Sequence, residues 1–346
     1  MNEKLKFSIC IPVYKGSELL KNSLDSIFRQ NFDNDFEIII GEDTPPEFVD
    51  EIKKIKSLVD SYNDPRIRFI KNEKNLGYAI NLQNIVSMAT GDILFLMAQD
   101  DILSKNSLQK TYDAFLLDDD IGCVTRPYFW FMDDINKPVR AVLPYDENKD
   151  SILDSKHKDH FMKIFESVGQ LSGLAYRRSF LDAPFNDECF LAHIYPFASI
   201  YKKHKCVFLK DYTVAVGILS SQTRSLSSIY DLSPTESWLK MYRTIFSGEE
   251  YKQQLGWGID HICGNNFEGL VQLKNYANPG VLWREIKIIV KNRPKNLLNI
   301  KFWFYAIGTL IIPKVILRKM VDWYKNTILS RKMTNVKIEH NFDIHN

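Results

Sequence analysis

Two adjacent carboxylates, Asp100 and Asp101, end an apolar run within residues 92–103 (DILFLMAQDDIL). Hard divalent cations prefer carboxylate oxygens and often share them with substrate phosphates, so the pair is a candidate site for a metal and a phosphorylated ligand. Capping of a following helix is the alternative use of the same residues. Other polar residues stand where an element gives way to a loop: Pro12-Val13-Tyr14-Lys15, Gly41-Glu42-Asp43-Thr44 and Asn75-Leu76-Gly77. Asp43 can accept a hydrogen bond from a base N–H, and Asn75 with Gly77 can make a tight turn that lets backbone approach a ligand. Both are equally turn formers and helix caps. Further on, Gln222 and Arg224 in a polar, basic loop are candidates to clamp a leaving diphosphate.

Bringing these residues together requires a sheet with one shared edge, and the apolar pattern predicts it. Segments at 7–13, 36–40, 66–70 and 93–97 read as strands, the last a continuous apolar run buried on both faces. Between them Leu20, Leu24, Ile27 and Phe28, then Phe48, Ile52, Ile55, Val59 and Tyr62, then Tyr78, Leu82, Ile85, Val86 and Ala89 recur at helical spacing. Strands alternating with helices imply βαβ units and a mostly parallel α/β sheet, whose C-terminal edge collects ligand-binding loops. After a fourth helical stripe, 121–124, 205–209 and 213–216 read as strands. The aromatic piece 128–131 reads as core or as a sugar-stacking surface, and 137–159 as a loop or mobile lid.

The ordered set SICIPVYKGSELLKNSLDSIFRQ, EIIIGED and NEKNLGYAINLQNIVSMATGDILFLMAQDD resembles the nucleotide-binding half of family 2 glycosyltransferases of the GT-A, Rossmann-like fold, over roughly residues 5–125. The resemblance implies that Pro12, Glu42 and Asp43 hold the nucleoside of a nucleotide sugar. It also implies that Gln99-Asp100-Asp101 occupies the place of the metal-binding Asp-X-Asp motif. Tyr14, Asn75, Gly77 and Arg224, by their places in loops after or before the elements, are expected around the same donor. Ala98 stands where the first aspartate of that motif is expected, which leaves Asp100 as the metal ligand for Mn2+ or Mg2+. The family's helix carrying the catalytic base presents Glu-Asp; here His193-Ile194 stands there. An inverting transfer needs a base for the acceptor hydroxyl. His193 is the candidate, with Asp187 or Glu188 as the competing carboxylates and a different stereochemical outcome as a third reading.

Composition is ordinary for a globular protein, with 45% hydrophobic residues and a net charge of +2. The charge is unevenly spread: residues 283–333 hold twelve Lys/Arg against Glu285 and Asp322, so the remainder is acidic. The same stretch is aromatic and helically patterned, as expected of a segment lying on an anionic membrane surface, or of a helical subdomain with solvated cations. Five scattered cysteines without metal-ligand spacing read as free thiols in a reducing compartment. The start of the chain shows no signal-peptide pattern, and no apolar run reaches the ~18 residues of a spanning helix. These features predict a cytoplasmic protein, peripheral on the inner face of the cell membrane.

The expected organisation is a GT-A domain over 1–230, with a nucleotide-sugar half at 1–125 and an acceptor half at 126–230. A helical extension at 231–280 and a basic amphipathic tail at 281–346 follow. The expected function is metal-assisted, inverting transfer of a hexosyl or deoxyhexosyl group from a nucleotide sugar to a saccharide hydroxyl. The acceptor would be lipid-linked through polyprenyl diphosphate, in surface polysaccharide or O-antigen assembly. A non-catalytic sugar- or nucleotide-binding relative is one alternative. A nucleotidyltransferase is another, disfavoured because no glycine-rich phosphate loop follows the first strand. Nucleic acid is not expected as a partner, since the body is acidic and no reading motif is present.

Overall fold

The computed structural model describes residues 4–185, 190–218, 227–278, 280–324, 327 and 342. Its first hundred residues alternate as the apolar runs predict: β1 (Phe7–Val13), α1 (Ser17–Phe28), β2 (Phe36–Glu42), α2 (Val49–Ser61), β3 (Ile67–Lys71), α3 (Tyr78–Ser87) and β4 (Ile93–Leu96). There follow β5 (Ile102–Leu103), α4 (Ser107–Phe115), β6 (Ile121–Thr125), β7 (Tyr128–Phe131), β8 (Arg140–Val142), β9 (Ser151–Leu153), α5 (Lys158–Ser167), β10 (Ala175–Arg177), α6 (Ile194–Lys203), β11 (Lys205–Phe208) and β12 (Val214–Gly217). The large sheet has the order β3-β2-β1-β4-β10-β6-β11-β9, and β5-β12-β7-β8 form a smaller one. β1 to β4 are mutually parallel where they pair, and β10 enters antiparallel. β2 is fully buried and β1 nearly so, which is why apolar residues dominate both.

From β1 the chain steps to β2 and β3 on one side, then β4 lands on the other side of β1. The gap between the ends of β1 and β4 is therefore a topological switch point, where open α/β sheets bind ligands. Close packing holds this geometry. A Cβ at Gly41, at the end of β2, would lie 2.3 Å from Asn81 Oδ1 and 2.5 Å from Ile85 Cγ2, so only glycine lets α3 sit this near the strand.

Two expectations change. Residues 137–159 are not a loop throughout: β8 extends the small sheet, and β9 forms the outer edge of the large one against β11. Three-residue strands inside a polar run are too short for an apolar period to reveal. The aromatic piece is β7, with Tyr128, Phe129 and Phe131 buried, and Phe342 packs edge-on against Phe129 with ring centroids 5.3 Å apart.

By internal packing the chain divides into two compact units: the described residues of Met1–Ser155, Glu166–Ile218 and Lys337–Asn346, and those of Lys156–Phe165 and Leu219–Val336. The second is helical, with α7 (Pro234–Ile245), α8 (Lys252–Asp260), α9 (Gly269–Tyr276), α10 (Val281–Asn292), α11 (Ile300–Ile311) and α12 (Lys314–Tyr324). Its core is aromatic, with Phe161, Phe165, Tyr242 and Phe246 in mutual ring contact. Among the described residues no helix is long and apolar enough to cross a membrane.

Candidate active site at the switch point

The ends of β1 and β4 are joined by one side chain. Gln99 accepts from the Tyr14 N–H at 2.8 Å and donates to the Tyr14 carbonyl at 2.9 Å, so its amide mimics a strand partner. Its head lies where a Cβ at Gly16 would be, 2.3 Å from Nε2, so the turn after β1 has room for it only because residue 16 is glycine. Lys15 adopts a left-handed φ of 46° and donates its N–H to Thr44 Oγ1 at 2.9 Å, joining the β1 and β2 ends. Pro12, half-buried, lies in register with Gly41.

Asp43, buried just past β2, uses both carboxylate oxygens on the loop before α3. Oδ1 accepts from Asn72 Nδ2 at 2.9 Å and the Leu76 N–H at 2.8 Å. Oδ2 accepts from Asn75 Nδ2 at 3.1 Å and the Gly77 N–H at 2.8 Å. Gly77 has φ +83°, the left-handed region that glycine adopts without a Cβ penalty. Asp43 thus shapes the loop that meets the switch point. Its neighbour Glu42 differs: Oε1 accepts from the Thr44 N–H at 2.7 Å, whereas Oε2 is buried without a hydrogen-bond partner. A buried carboxylate oxygen without a protein donor is costly unless another donor reaches it.

The carboxylate pair separates into two environments. Asp101 is fully buried: Oδ2 accepts from Ser172 Oγ at 2.5 Å and Gln170 Nε2 at 2.9 Å, and Oδ1 from the Gly217 N–H at 3.0 Å. Burial, then the neighbouring Asp100 charge, hold its carboxyl well above the usual range despite those donors. Asp101 therefore fastens the turn after β4 to the 170–172 loop and to the end of β12. Asp100 is half-buried beside it, and a Cβ at Gly217 would meet the Asp100 carbonyl at 2.8 Å. With a methyl at Ala98 and Asp101 consumed structurally, a cation here would find one side-chain carboxylate among the described residues, Asp100. One carboxylate with substrate phosphate oxygens and water is a donor set that Mg2+ and similar hard cations accept, so the residues present fit a cation shared with a diphosphate.

His193 precedes α6 and is only 5% exposed. Its Nε2 lies 3.2 Å from the Val168 carbonyl, which can only accept, so Nε2 carries the proton and Nδ1 accepts from Tyr78 Oη at 2.9 Å. Burial pushes its pKa down to about 4, partly offset by the Val168 carbonyl. Both ring nitrogens are engaged within the protein, so in this arrangement the imidazole turns no free lone pair towards an acceptor hydroxyl. Instead it pins the first residue of α3 to the start of α6, and Tyr176 Oη donates to its carbonyl at 2.8 Å. Asp187, Glu188, Gln222 and Arg224 lie outside the described residues. The sequence reading passed over Asn72, Ser172 and Tyr78. Asn72 had a signal, since it follows β3 at the same edge. Tyr78 was hidden within an apolar helical stripe.

Residues 8–183 match the sequence profile of glycosyl transferase family 2, half of the chain. Over 202 residues the chain is 30% identical to the abequosyltransferase RfbV of Salmonella typhimurium, covering 55% of this chain and 58% of that one. It thus spans under two thirds of that relative's length. In three dimensions it is similar to TarS 1–349 of S. aureus in complex with UDP-GlcNAc, with a TM-score of 0.60 at 12% identity over 99% of this chain and 95% of that one. It is also similar to the mannosyltransferase PcManGT from Pyrobaculum calidifontis in complex with GDP-Man and Mn2+, with a TM-score of 0.54 at 12% identity over 90% and 87%. These likenesses carry the fold, an α/β GT-A architecture. The profile runs from β1 through β10 and takes in Tyr14, Glu42, Asp43, Gln99 and Asp100. The chain belongs to glycosyl transferase family 2.

Proposed function

We propose that this glycosyltransferase moves a hexosyl or deoxyhexosyl group, with inversion, from a nucleotide sugar to a hydroxyl of a saccharide acceptor. The acceptor is linked to a membrane lipid through a diphosphate, in surface polysaccharide or O-antigen assembly. The observation that carries the donor reading is the unpartnered Glu42 oxygen beside the Asp43-shaped loop, at the switch point. Glu42 takes a hydrogen bond from the nucleoside, while Pro12, Tyr14 and the Asn75–Gly77 turn form its walls. Gln99 keeps the β1 and β4 ends together, and the role of binding the departing diphosphate is assigned to Arg224. A divalent cation, held by Asp100, would neutralise diphosphate charge. Asp187 or Glu188, six and five residues before His193, takes the acceptor proton.

The RfbV likeness supports a saccharide product, and the bound ligands of the TarS and PcManGT structures support a nucleotide-sugar donor. The membrane side rests on the second unit, where Leu298, Ile300, Phe304 and Ile311 are 90, 87, 73 and 73% exposed. Large apolar side chains this exposed, interspersed with Lys301, Lys314 and Arg318, suit the interface of an anionic bilayer at the cytoplasmic face.

The test is turnover of a panel of nucleotide sugars, with nucleoside diphosphate as the measured product and Asp100→Asn as the inactive control. Pyrophosphate as product would make the protein a nucleotidyltransferase. Tight binding of a nucleotide sugar without turnover, by wild type and Asp100→Asn alike, would make it a binding protein.

A further inference from the structure

The second unit holds a cleft of about 600 Å³, lined by none of the residues assigned to the transfer. Lys158, Lys252, Trp257, Asp260, Arg293 and Lys295 line it, so four cations face one carboxylate. That carboxylate is shared: Asp260 Oδ1 lies 2.6 Å from Arg293 Nε and 3.1 Å from Lys295 Nζ. Burial raises the Asp260 carboxyl, but these two cations more than offset it and hold it below its usual value. The cleft keeps a positive excess. Glu249 touches Lys252 only loosely, at 3.4 Å and almost fully exposed.

The guanidinium of Arg293 is set in place before any ligand arrives. It is held by Asp260 and by Asn296 Oδ1, and it lies against Gly264, where a Cβ would come within 2.9 Å of Arg293 Cζ. Gly264 belongs to a π-helical turn, His261–Asn265, that continues α8, and such turns recur at functional sites. A pre-positioned guanidinium with flexible ammonium groups around it suits a phosphate with several free oxygens. Trp257, packed edge-on against Phe161 at 5.7 Å, provides the apolar wall.

The cleft's neighbour in sequence decides which phosphate it meets. Two residues after Lys295 the chain reaches Leu297 and Leu298, then Ile300, all exposed, and Trp303 Nε1 donates to the Leu297 carbonyl at 2.9 Å to fix this corner. The wall of the cleft thus runs directly into the apolar surface.

We infer that this cleft binds the phosphomonoester or diphosphate headgroup of a membrane lipid, while the adjoining apolar corner enters the acyl region. The inference rests on the membrane-facing reading of α11 and deepens it, since it gives the second unit a ligand. A headgroup whose phosphate projects from the bilayer is selected over one that presents only a phosphodiester.

The test is vesicle sedimentation of the full chain on phosphatidylcholine alone and on phosphatidylcholine with phosphatidic acid. The wild type should bind the second at least fivefold better. Lys158→Glu with Lys252→Glu should remove that increment and leave phosphatidylcholine binding unchanged. Lys287→Glu with Lys291→Glu, two exposed lysines outside the cleft lining, makes the same charge change and should keep most of the increment. Retention of the full increment by the cleft variant, or its equal loss in both lysine pairs, overturns the inference. Phe304→Glu with Ile311→Glu should release the protein from both vesicle types; if it does not, the membrane reading itself fails. Inorganic pyrophosphate should raise the melting temperature of the wild type and not of the cleft variant. If it does so with no phosphatidic acid increment, the ligand is a free phosphate and the lipid assignment is overturned.

Discussion

Asparagine at position 43 keeps the shape of aspartate but turns one oxygen into an NH2 donor, and every group around that side chain is already a donor. If the amide nitrogen replaces Oδ1 it faces Asn72 Nδ2 and the Leu76 N–H; if it replaces Oδ2 it faces Asn75 Nδ2 and the Gly77 N–H. Either orientation loses two bonds to a charged acceptor. Asn72 cannot compensate by turning its own amide over, because the same nitrogen also donates to Asn81 Oδ1 at 3.1 Å. Hydrogen bonds to charged groups contribute about 1.5–3 kcal/mol each, and water can reach part of this half-exposed loop, so closure should weaken by about 2–4 kcal/mol. That is roughly a 30- to 1,000-fold loss of protection in hydrogen exchange at the Leu76 and Gly77 amides. Amide exchange on wild type and Asp43→Asn, with nucleotide affinity measured in parallel, reads both consequences. Protection unchanged within threefold would refute the account of Asp43 as the holder of the loop. Lost protection with unaltered nucleotide affinity would refute the link between the loop and the donor.

Glu42→Gln converts the unpartnered oxygen into a donor, so stability should hold or rise slightly while nucleotide affinity falls about tenfold; an unchanged affinity in titration calorimetry counts against Glu42 as a ligand contact. His193 has a folded pKa of about 4, below the ordinary 6.5, so its contribution is fully present above pH 6.5 and is lost as pH falls towards 4. Between pH 7 and pH 5 this amounts to about 2 kcal/mol, and His193→Gln should be less acid-sensitive by that amount in urea titrations. The same variant should keep turnover within tenfold, whereas loss of a general base costs ~10²–10⁴. Arg126, buried and bonded to the hydroxyls of Ser107, Thr111 and Thr213, should on replacement by methionine cost about 2–4 kcal/mol, read by denaturant unfolding.

The frame was legible because strands buried on both faces are dominated by apolar residues, as β1, β2 and β4 are, and β4 is apolar throughout. The same logic failed for β8 and β9, whose three residues are too few to show a period. Legibility also stopped at the direction in which a polar side chain is used. Position along the chain marked Gln99, Asp43 and Asp101 as residues of the sheet edge, but not whether their atoms face a ligand or their own backbone. Gln99 and Tyr14 are 85 residues apart, Tyr78 and His193 are 115 apart, and spacing along one element holds no record of either contact. A switch-point crevice leaves strand ends and helix starts with unsatisfied backbone groups, and here Gln99, Asp43 and Asp101 are consumed in satisfying them. The atoms that recognise a ligand are therefore those this internal demand leaves over. In the described part of the crevice Glu42 Oε2 is such an atom: four loop donors saturate the Asp43 carboxylate, whereas the Thr44 N–H satisfies only Oε1 of Glu42 and leaves Oε2 over.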